Sequence, residues 1–357
     1  MGFKCGIVGL PNVGKSTLFN ALTTSKKAQA ENFPFCTIDP NIGIVVVPDE
    51  RLIKISKISK SVKTINAAIT FVDIAGLVKG ASKGEGLGNK FLSHVREVDA
   101  IVHLTRCFDS EKILNVNKNV DPIRDLEIIE TEILLSDLES IQKRLEKNNK
   151  KKLEKDMLNF LESSQKLINQ GKKPDELRKE YSKDTIKKSA LLSLKPRIVV
   201  CNVDEKSLPN GNNYSDACKK KFPNENIIIV CADIEDQIMN LQIKDRKDFM
   251  LESGIKNTGL DNLIKTGYNT LGLSTFFTSG PEESRAWTIE KNSKAEDAAS
   301  VIHTDFKKKF IRAETVTHED FIKYNGFNEC KNAGKLRLEG KDYSVKDGDV
   351  MYFRIGG

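Results

Sequence analysis

Short apolar runs alternate with amphipathic stretches through the first 120 residues, and the alternation returns after residue 190. Runs that resemble buried strands lie at residues 5–8, 41–47, 67–73, 100–104, 197–201 and 226–230. Helical segments at 18–22 and 91–96 stand between some of these runs. Strands that alternate with helices are typical of an α/β domain with a largely parallel sheet. We therefore predict one such domain, formed by residues 1–120 together with 190–275.

The segment between the two parts of this domain has a helical period. A cap residue and a proline at the first helical position, Asp121 and Pro122, begin it. Apolar residues then recur mostly at steps of three and four: Leu126, Ile129, Ile133, Leu134, Leu138, Ile141 and Leu145, then, after a polar break at 148–150, Leu153, Met157, Phe160, Leu161 and Leu167. The pattern predicts two amphipathic helices in an antiparallel, coiled-coil hairpin, inserted at residues 121–189.

The pattern changes again in the last part of the chain. Strand-like runs occur at 275–278 and 285–289, and a helix is predicted near 295–310. One apolar stripe marks that helix, at Ala299, Ile302, Phe306 and Phe310. A single helix on a small sheet indicates a β-grasp domain, which we assign to residues 276–357.

Composition fits a chain of two or three domains with real cores, since 39% of its 357 residues are apolar. The seven cysteines are dispersed and include no C-x-x-C pair, a pattern that favours reduced thiols over disulfides or zinc. No apolar run has the length of a membrane span, and the first residues lack the apolar core of a signal peptide. We expect a cytoplasmic protein with no membrane partner.

The positive charge is concentrated in one segment. The chain carries a net charge of +7, and residues 139–190 contain 15 Lys and Arg against 9 Asp and Glu. A further basic cluster, Lys307–Lys309, lies at the polar end of the C-terminal helix. Such asymmetry indicates an acidic partner, with RNA favoured. The alternative is that the lysines only keep a long helix solvated.

The strongest chemical signal is the stretch Gly-Leu-Pro-Asn-Val-Gly-Lys-Ser-Thr at residues 9–17, which reads G-x-x-x-x-G-K-[ST]. It follows a strand-like run and precedes a helix, which is the context that a phosphate-binding P-loop requires. Gly9 and Gly14 let the backbone turn so that its N–H groups cradle phosphate oxygens. Lys15 is placed to reach the outer phosphates, and the Ser16 hydroxyl to ligate Mg²⁺. The predicted phosphate contacts are Asn12, Val13, Gly14, Lys15, Ser16 and Thr17.

A second half of the site follows the apolar run that ends at Asp73. In P-loop proteins a carboxylate at such a strand end holds Mg²⁺, usually through water. The glycine- and lysine-rich stretch at 80–89 indicates a loop that becomes ordered when nucleotide binds, or else a long turn.

Taken together, these motifs resemble the Obg-like ATPase family, also called YchF, among the translation-factor-related P-loop proteins. The resemblance spans essentially the whole chain. Its carriers are the motif at 9–17, Asn-Phe-Pro-Phe-Cys-Thr at 32–37, the long block at 73–88, and the segments at 285–289, 302–306 and 346–350. The family resemblance implies a GTPase-type domain, a coiled-coil insertion, a C-terminal TGS domain and a ribosome-linked ATPase activity.

The choice between guanine and adenine depends on the strand end Asn202-Val203-Asp204-Glu205. Related GTPases read guanine with Asn-Lys-x-Asp, whose aspartate accepts hydrogen bonds from guanine N1–H and the 2-amino group. Here Val203 removes the lysine stem and Glu205 is one methylene too long, while Asp204 is out of register. Losing the guanine reader lowers the preference for GTP, and the resemblance implies ATP. Backbone groups of Cys231 and Ala232 are the expected contacts on the other side of the base.

Catalytic residues are named from the resemblance. Thr37 is expected to close onto Mg²⁺ and the γ-phosphate, and the Gly76 N–H to bind that phosphate, so that Lys15, Thr37 and Gly76 form the catalytic set and Ser16, Thr37 and Asp73 the metal set. Leu77 and Asn115 stand where relatives carry a water-positioning glutamine and a candidate histidine. Asn12 resembles a position that coordinates K⁺ in related enzymes, or it only stiffens the loop.

Three functions follow. The first is a slow, Mg²⁺-dependent ATPase switch that binds the ribosome, as the large subunit or as a whole, through ribosomal RNA. The second is a nucleotide sensor or scaffold that does not hydrolyse ATP, which Leu77 and Asn115 favour. The third is a GTP-specific GTPase. A monomer with no DNA partner is expected in each case.

Overall fold

The strands of the described residues form two six-stranded sheets. The computed structural model describes residues 3–24, 41–75, 86–110, 119–148 and 152–356. The strands are β1 (Lys4–Val8), β2 (Ile42–Val46), β3 (Lys63–Ile65), β4 (Ala68–Asp73), β5 (Ala100–Cys107), β6 (Arg197–Val203), β7 (Asn226–Val230), β8 (Leu273–Ser279), β9 (Glu283–Glu290), β10 (Phe310–Thr317), β11 (Arg337–Glu339) and β12 (Asp349–Ile355). The α-helices are α1 (Lys15–Thr24), α2 (Glu50–Ser59), α3 (Gly86–Glu97), α4 (Pro122–Asn148), α5 (Lys155–Asn169), α6 (Lys183–Ser189), α7 (Asn213–Lys221), α8 (Ala232–Asn240), α9 (Ile243–Glu252), α10 (Gly259–Thr270), α11 (Ala295–Ile302), α12 (Thr304–Lys308), α13 (His318–Lys323) and α14 (Phe327–Asn332).

The first sheet has the strand order β2-β4-β1-β5-β6-β7. Every neighbouring pair is parallel except β2 with β4, so the predicted alternating α/β domain is confirmed. Fully buried Ile7, Leu18 and Phe71 belong to its core. Because the carboxyl ends of parallel strands meet at one edge, the loops after β1, β5, β6 and β7 lie side by side.

Helices α4 and α5 form the predicted hairpin. The C-terminal half of α4 and helix α5 share a core that includes Ile141, Phe160 and Leu161. The N-terminal half of α4 packs differently, because Ile129 and Ile133 belong to the core of the first sheet. Because α4 is one continuous helix, it connects the hairpin rigidly to the domain that is built on the first sheet.

A buried carboxylate fastens the base of the hairpin. Asp137 accepts hydrogen bonds of 2.8 Å from the backbone N–H groups of Leu192 and Ser193, where the chain returns toward β6. Burial raises the pKa of Asp137, and these backbone donors oppose that shift. The return segment is thus tied to the middle of α4.

The second sheet has the order β11-β10-β12-β8-β9-β3. β8 and β9 form an antiparallel hairpin, β12 lies parallel to β8, and β10 is antiparallel to β12. Helix α11 covers one face, where Ala298 and Ala299 contribute to a core with Phe276 and Met351. This arrangement is the predicted β-grasp fold.

One edge of the second sheet comes from far upstream. β3 pairs with β9 in parallel, with Lys63 opposite Glu283 and Ile65 opposite Arg285. Leu52 of α2 lies in the same core as Phe277 of β8. β3 therefore completes one edge of the C-terminal sheet and α2 shares a core with it, although both lie within the first segment of sequence. The limits 1–120 plus 190–275, 121–189 and 276–357 stay a proposal for the domain boundaries.

The prediction of one helix near 295–310 is wrong. α11 ends at Ile302, His303 is extended (φ −156°, ψ 139°), and α12 is a separate short helix. The His303 Nδ1 accepts a hydrogen bond of 3.2 Å from the Asp305 N–H, which starts the second helix. Phe310 is already in β10, opposite Ile355. The predicted stripe still faces one core.

The helices within the described ranges include none that is long and apolar enough to cross a membrane.

Candidate nucleotide-binding site

The loop between β1 and α1 follows a path that few sequences allow. Asn12 and Gly14 both have left-handed backbone, with φ of 64° and 92°. A Cβ at Gly9 would lie 2.7 Å from the carbonyl oxygen of Leu104, so this position needs glycine. α1 starts at Lys15, and its first N–H groups have no partner within the helix, which makes this end attractive to anions.

A cleft of about 820 Å³ opens along this loop at the carboxyl edge of the first sheet. Nine predicted site residues line it: Asn12, Gly14, Lys15, Ser16, Thr17, Asn202, Val203, Glu205 and Cys231. The structure thus brings the P-loop and the strand end at 202–205 to one cavity, although almost 190 residues separate them in sequence.

Lys15 and Asp73 form an ion pair through Nζ and Oδ1. Both side chains are largely covered, with 14% and 16% of their surface exposed. The pairing is possible because β1 and β4 are neighbours, with Ile7 opposite Asp73. The two charges predicted to serve phosphate and metal therefore neutralise each other in this state.

The side chain of Asn202 links the P-loop half of the cleft to the half formed after β6 and β7. Its Nδ2 donates a hydrogen bond of 2.9 Å to the Val13 carbonyl, and its Oδ1 accepts one of 3.0 Å from the Ala232 N–H. Val13 and Ala232 are themselves buried and do not line the cavity. The Ala232 N–H, which we expected to contact the base, is thus engaged by Asn202.

The wall of the cleft opposite the P-loop, here called the base-side wall, is formed by the residues that were predicted to contact the nucleotide base. Val203 is buried in an apolar cluster, whereas Asp204 and Glu205 are exposed. Cys231 belongs to the same cluster, and burial raises the pKa of its thiol. Gln237, one and a half turns into α8, also borders the cavity. This wall contains no lysine among the described residues that line it.

Sequence reasoning missed the segment after β5. Phe108, Asp109 and Ser110 line the cleft. Arg106 holds the segment, since its Nε donates to the Phe108 carbonyl at 3.0 Å and its guanidinium lies 4.7 Å from the Phe108 ring centre. Tyr214 donates to Asp109 at 3.0 Å. The available signal was topological, because the strand next to β1 in a parallel sheet ends beside the P-loop.

Several predicted residues lie outside the described residues. These are the catalytic candidates Thr37 and Gly76 and the two substitutions Leu77 and Asn115. Most of the glycine-rich loop at 80–89 lies outside them too.

The fold and the cleft define a P-loop nucleotide-binding protein with a GTPase-type domain. Residues 4–203 match the family model described as "50S ribosome-binding GTPase". Residues 273–356 match the YchF-GTPase_C model, whose description is "Protein of unknown function (DUF933)".

Whole-chain relatives identify the family. The chain is 49% identical to "Ribosome-binding ATPase YchF" of Bacillus subtilis, over 99% of this chain and 100% of that protein. It is 48% identical to the protein of the same name from Escherichia coli O157:H7, over 99% of each. It is similar to the solved structure of the Schizosaccharomyces pombe YchF GTPase, with 38% identity, a TM-score of 0.84, and 99% and 98% of the two chains covered. The chain belongs to the YchF family.

Proposed function

We propose that this chain is a ribosome-associated ATPase that binds ATP in preference to GTP and hydrolyses it slowly as a conformational switch. The observation that carries the proposal is the single cleft shared by the P-loop and a strand end that lacks the guanine-reading Lys and Asp. The bacterial relatives named above are ribosome-binding ATPases.

The preference for ATP rests on the base-side wall. Val203 is packed in an apolar core, so the flat covering surface that a lysine stem supplies in guanine sites is missing. Glu205 and Asp204 are exposed at the cavity, and the longer Glu205 side chain stands where an aspartate would accept two hydrogen bonds. A polar group of guanine left without a partner costs about 1–3 kcal/mol, which is enough to reverse a base preference.

The residues present fit a Mg²⁺ ion. Ser16 offers a hydroxyl oxygen at the cleft and Asp73 a carboxylate oxygen beside Lys15, and hard cations prefer such oxygen ligands. Ser16, Asp73 and Thr37 are the proposed holders, and Mg²⁺ would neutralise charge on the outer phosphates. Lys15, now paired with Asp73, would turn to the same phosphates when nucleotide enters.

The remaining roles are proposed from the sequence. The Thr37 side chain and the Gly76 N–H are proposed to close on the γ-phosphate, which gives the switch its nucleotide dependence. Asn12 is proposed as the K⁺-coordinating position. Leu77 and Asn115 cannot act as general bases, so turnover without a partner is expected to be slow.

Ribosomal RNA is the proposed partner of the hairpin. Lys147, Lys152 and Lys155 are exposed around the hairpin end, and in the described part of the chain they form no ion pair. Other lysines of the segment are already engaged, as Lys188 is with Asp184 at 2.7 Å. Clustered unpaired lysines at the end of a rigid helix pair suit a phosphate backbone.

The C-terminal β-grasp domain is proposed to be a TGS domain that makes a second contact with the ribosome. Its basic cluster is smaller than the sequence indicated, because Lys307 is paired with Asp297 at 2.6 Å. Lys308 and Lys309 remain exposed. We propose a cytoplasmic monomer that meets the ribosome through both surfaces.

The deciding experiment measures ATP and GTP affinity and turnover on one preparation, with and without ribosomes. The proposal expects tighter ATP than GTP, slow intrinsic turnover, and faster turnover or nucleotide-dependent association with ribosomes. Binding of ATP with no turnover under any condition would favour the sensor instead.

A guanine-specific enzyme is the second candidate. The S. pombe relative is named a GTPase, and so is the family that residues 4–203 match. A GTP affinity ten or more times tighter than that for ATP would establish this alternative.

A further inference from the structure

Three cysteines that look scattered in the sequence meet in the folded chain. Cys107 ends β5, Cys201 lies in β6 and Cys218 lies in α7. Their sulfur atoms all lie within 4.8 Å of one another, and all three residues are fully buried. No other group of this kind occurs within the described ranges.

Strand register and one helix cap produce this convergence. Cys107 lies opposite Val203, so Cys107 and Cys201 are two positions apart on neighbouring parallel strands and share a face of the sheet. Asn212 caps α7 and also donates a hydrogen bond of 2.8 Å from its Nδ2 to the Cys107 carbonyl. This bond fixes the helix that carries Cys218 over the other two thiols.

The thiols also interact chemically. Interaction with Cys107 and Cys201 lowers the pKa of the Cys218 thiol, and interaction with Cys201 and Cys218 raises the pKa of the Cys107 thiol. Single buried cysteines commonly act as small apolar side chains. Three buried thiols brought together from three elements, with their sulfurs within 4.8 Å of one another, are a different arrangement.

The spacing suits a central atom with three sulfur ligands. Three bonds of about 2.3 Å, the zinc–thiolate length, place the sulfurs about 4 Å apart around a planar centre and about 3.4 Å apart around a pyramidal one. From sulfurs that lie within 4.8 Å of one another, each side chain reaches either spacing by moving its sulfur by less than about 1 Å.

The surroundings select the kind of ion. Structural zinc requires four ligands, and among the described residues no fourth His, Cys, Asp or Glu side chain joins the three sulfurs. The trio belongs to an apolar cluster with Leu126, Val199 and Ile234. A monovalent or divalent ion with three thiolates would bury a net negative charge in this core, which is costly. A trivalent ion with three thiolates is neutral.

We propose that Cys107, Cys201 and Cys218 form a three-thiol binding site for a trivalent thiophilic ion, with arsenic(III) as its representative. Neutral arsenous acid exchanges its three hydroxyl groups for three thiols. Three As–O and three S–H bonds break, three As–S and three O–H bonds form, and three waters leave without any change of oxidation state. Transient opening of α7, a helix of nine residues, admits the ion.

The site is coupled to the nucleotide cleft by chain connectivity. Cys107 directly precedes Phe108, and Cys201 directly precedes Asn202, both of which line the cleft. Drawing the sulfurs together moves the ends of β5 and β6, so arsenic binding is expected to weaken nucleotide binding. This site does not depend on which nucleotide the protein uses.

The test is native mass spectrometry of the full chain incubated with arsenite, together with arsenic X-ray absorption. The expected species contains one arsenic less three hydrogens per chain, with three sulfur neighbours and no oxygen neighbour at the arsenic. Cys107→Ala, Cys201→Ala and Cys218→Ala should each weaken binding by at least about 100-fold, because the third bond forms at high effective concentration. The residual adduct of each variant should retain an As–OH group.

Matched controls are Cys5→Ala and Cys330→Ala, which are equally buried thiols outside the trio and should bind arsenic as the wild type does. Circular dichroism checks that each variant is folded, and a serine variant replaces any alanine variant that is not. Three sulfur neighbours that persist in Cys218→Ala would overturn the proposal. An absence of binding to the wild type would overturn it too, as would zinc or cadmium binding more tightly than arsenic at the same residues.

Discussion

The Nδ2 of Asn202 lies 2.9 Å from the carbonyl oxygen of Val13, so a side chain at the base end of the cleft holds the backbone of the P-loop. The same side chain accepts the Ala232 N–H at 3.0 Å. Both ends of Asn202 are therefore committed within the protein. Its role is to set the distance between the phosphate and base halves of the site.

Asn202→Ala is expected to weaken nucleotide binding and the fold together. The change leaves the Val13 carbonyl and the Ala232 N–H buried without partners, at a cost of about 1–3 kcal/mol for each. Urea unfolding should show a loss of about 2 kcal/mol or more, and nucleotide affinity should fall about tenfold or more. Asn240→Ala, at an exposed helix end, is the control. Unchanged nucleotide affinity in the Asn202 variant would contradict the bridging role.

Lys15→Ala is expected to abolish hydrolysis and to weaken Mg–ATP binding strongly. Lys15 supplies the positive charge for the outer phosphates, and its removal also leaves Asp73 without its partner. Turnover assays and equilibrium titration measure the two effects. Ser16→Ala should instead shift the Mg²⁺ dependence, with activity partly recovered at higher Mg²⁺. If Lys15→Ala turned over ATP at the normal rate, the P-loop would have no part in the mechanism.

Local features of the site could be predicted from sequence, because the P-loop specifies its turn and its chemistry within nine consecutive residues. The strand ending at Asp73 was predictable for the same reason. The Asn202 bridge could not be foreseen, since it depends on the packing of β6 against the loop after β1. The segment Phe108–Ser110 was missed because only strand order brings it to the cleft.

The fold, like the site, was predictable where it depends on local sequence pattern and not where it depends on long-range packing. Hydrophobic periodicity predicted the hairpin and the alternating domain, which depend on local pattern. The break at His303 was not predictable from the apolar stripe, since Ile302, Phe306 and Phe310 face one core although two helices and a strand carry them. The pairing of β3 with β9 joins segments more than 200 residues apart, and no local pattern encodes it.

Glu205→Asp is expected to raise GTP affinity relative to ATP by several-fold. The shorter side chain restores the length with which an aspartate accepts two hydrogen bonds from guanine, each worth about 1 kcal/mol. Competition titrations with both nucleotides measure the ratio. Asp204→Glu is the matched control, since it makes the opposite change at the neighbouring exposed position. An unchanged ratio in Glu205→Asp would mean that Glu205 does not face the base.

Glu235 gives the stability a pH dependence near neutrality. Burial raises its pKa from 4.5 to about 7, and although Oε1 accepts the Gly259 N–H at 2.5 Å, the buried Oε2 has no partner among the described residues. Between these two pH values the folded chain keeps a proton that the unfolded chain loses. Stability is therefore expected to fall as pH rises from about 4.5 to about 7.

Glu235→Gln removes this titration and keeps an acceptor for Gly259. The stability of the variant relative to wild type should be greater at pH 8 than at pH 5, by about 1–3 kcal/mol. Urea unfolding at the two pH values measures the free energy of unfolding of the variant relative to wild type. Any effect of the amide on stability that does not depend on pH cancels when the two values are compared. An equal difference at both pH values would show that Glu235 does not titrate in this range.

Reversing the exposed charges at the hairpin end is expected to weaken ribosome association. The variant Lys147→Glu, Lys152→Glu, Lys155→Glu changes side chains that have no ion pair among the described residues. Each lysine that neutralises a phosphate releases counterions, so wild-type association should weaken as salt rises and the variant should show a smaller salt slope. Sedimentation with ribosomes over a salt series measures both quantities. Intrinsic ATP turnover should stay nearly unchanged, because the change lies at the opposite end of a 27-residue helix from the sheet.

Two further variants test whether the lysines at the hairpin end bind the ribosome or only keep the helices solvated. Lys188→Glu removes a lysine already paired with Asp184 and should have a much smaller effect on association. Lys308→Glu with Lys309→Glu tests the C-terminal surface while leaving Phe306 and its core contacts intact. If association survives all three sets of reversals and does not respond to salt, the basic faces serve only solvation. The ribosome-binding surface would then lie on the uncharged parts of the molecule.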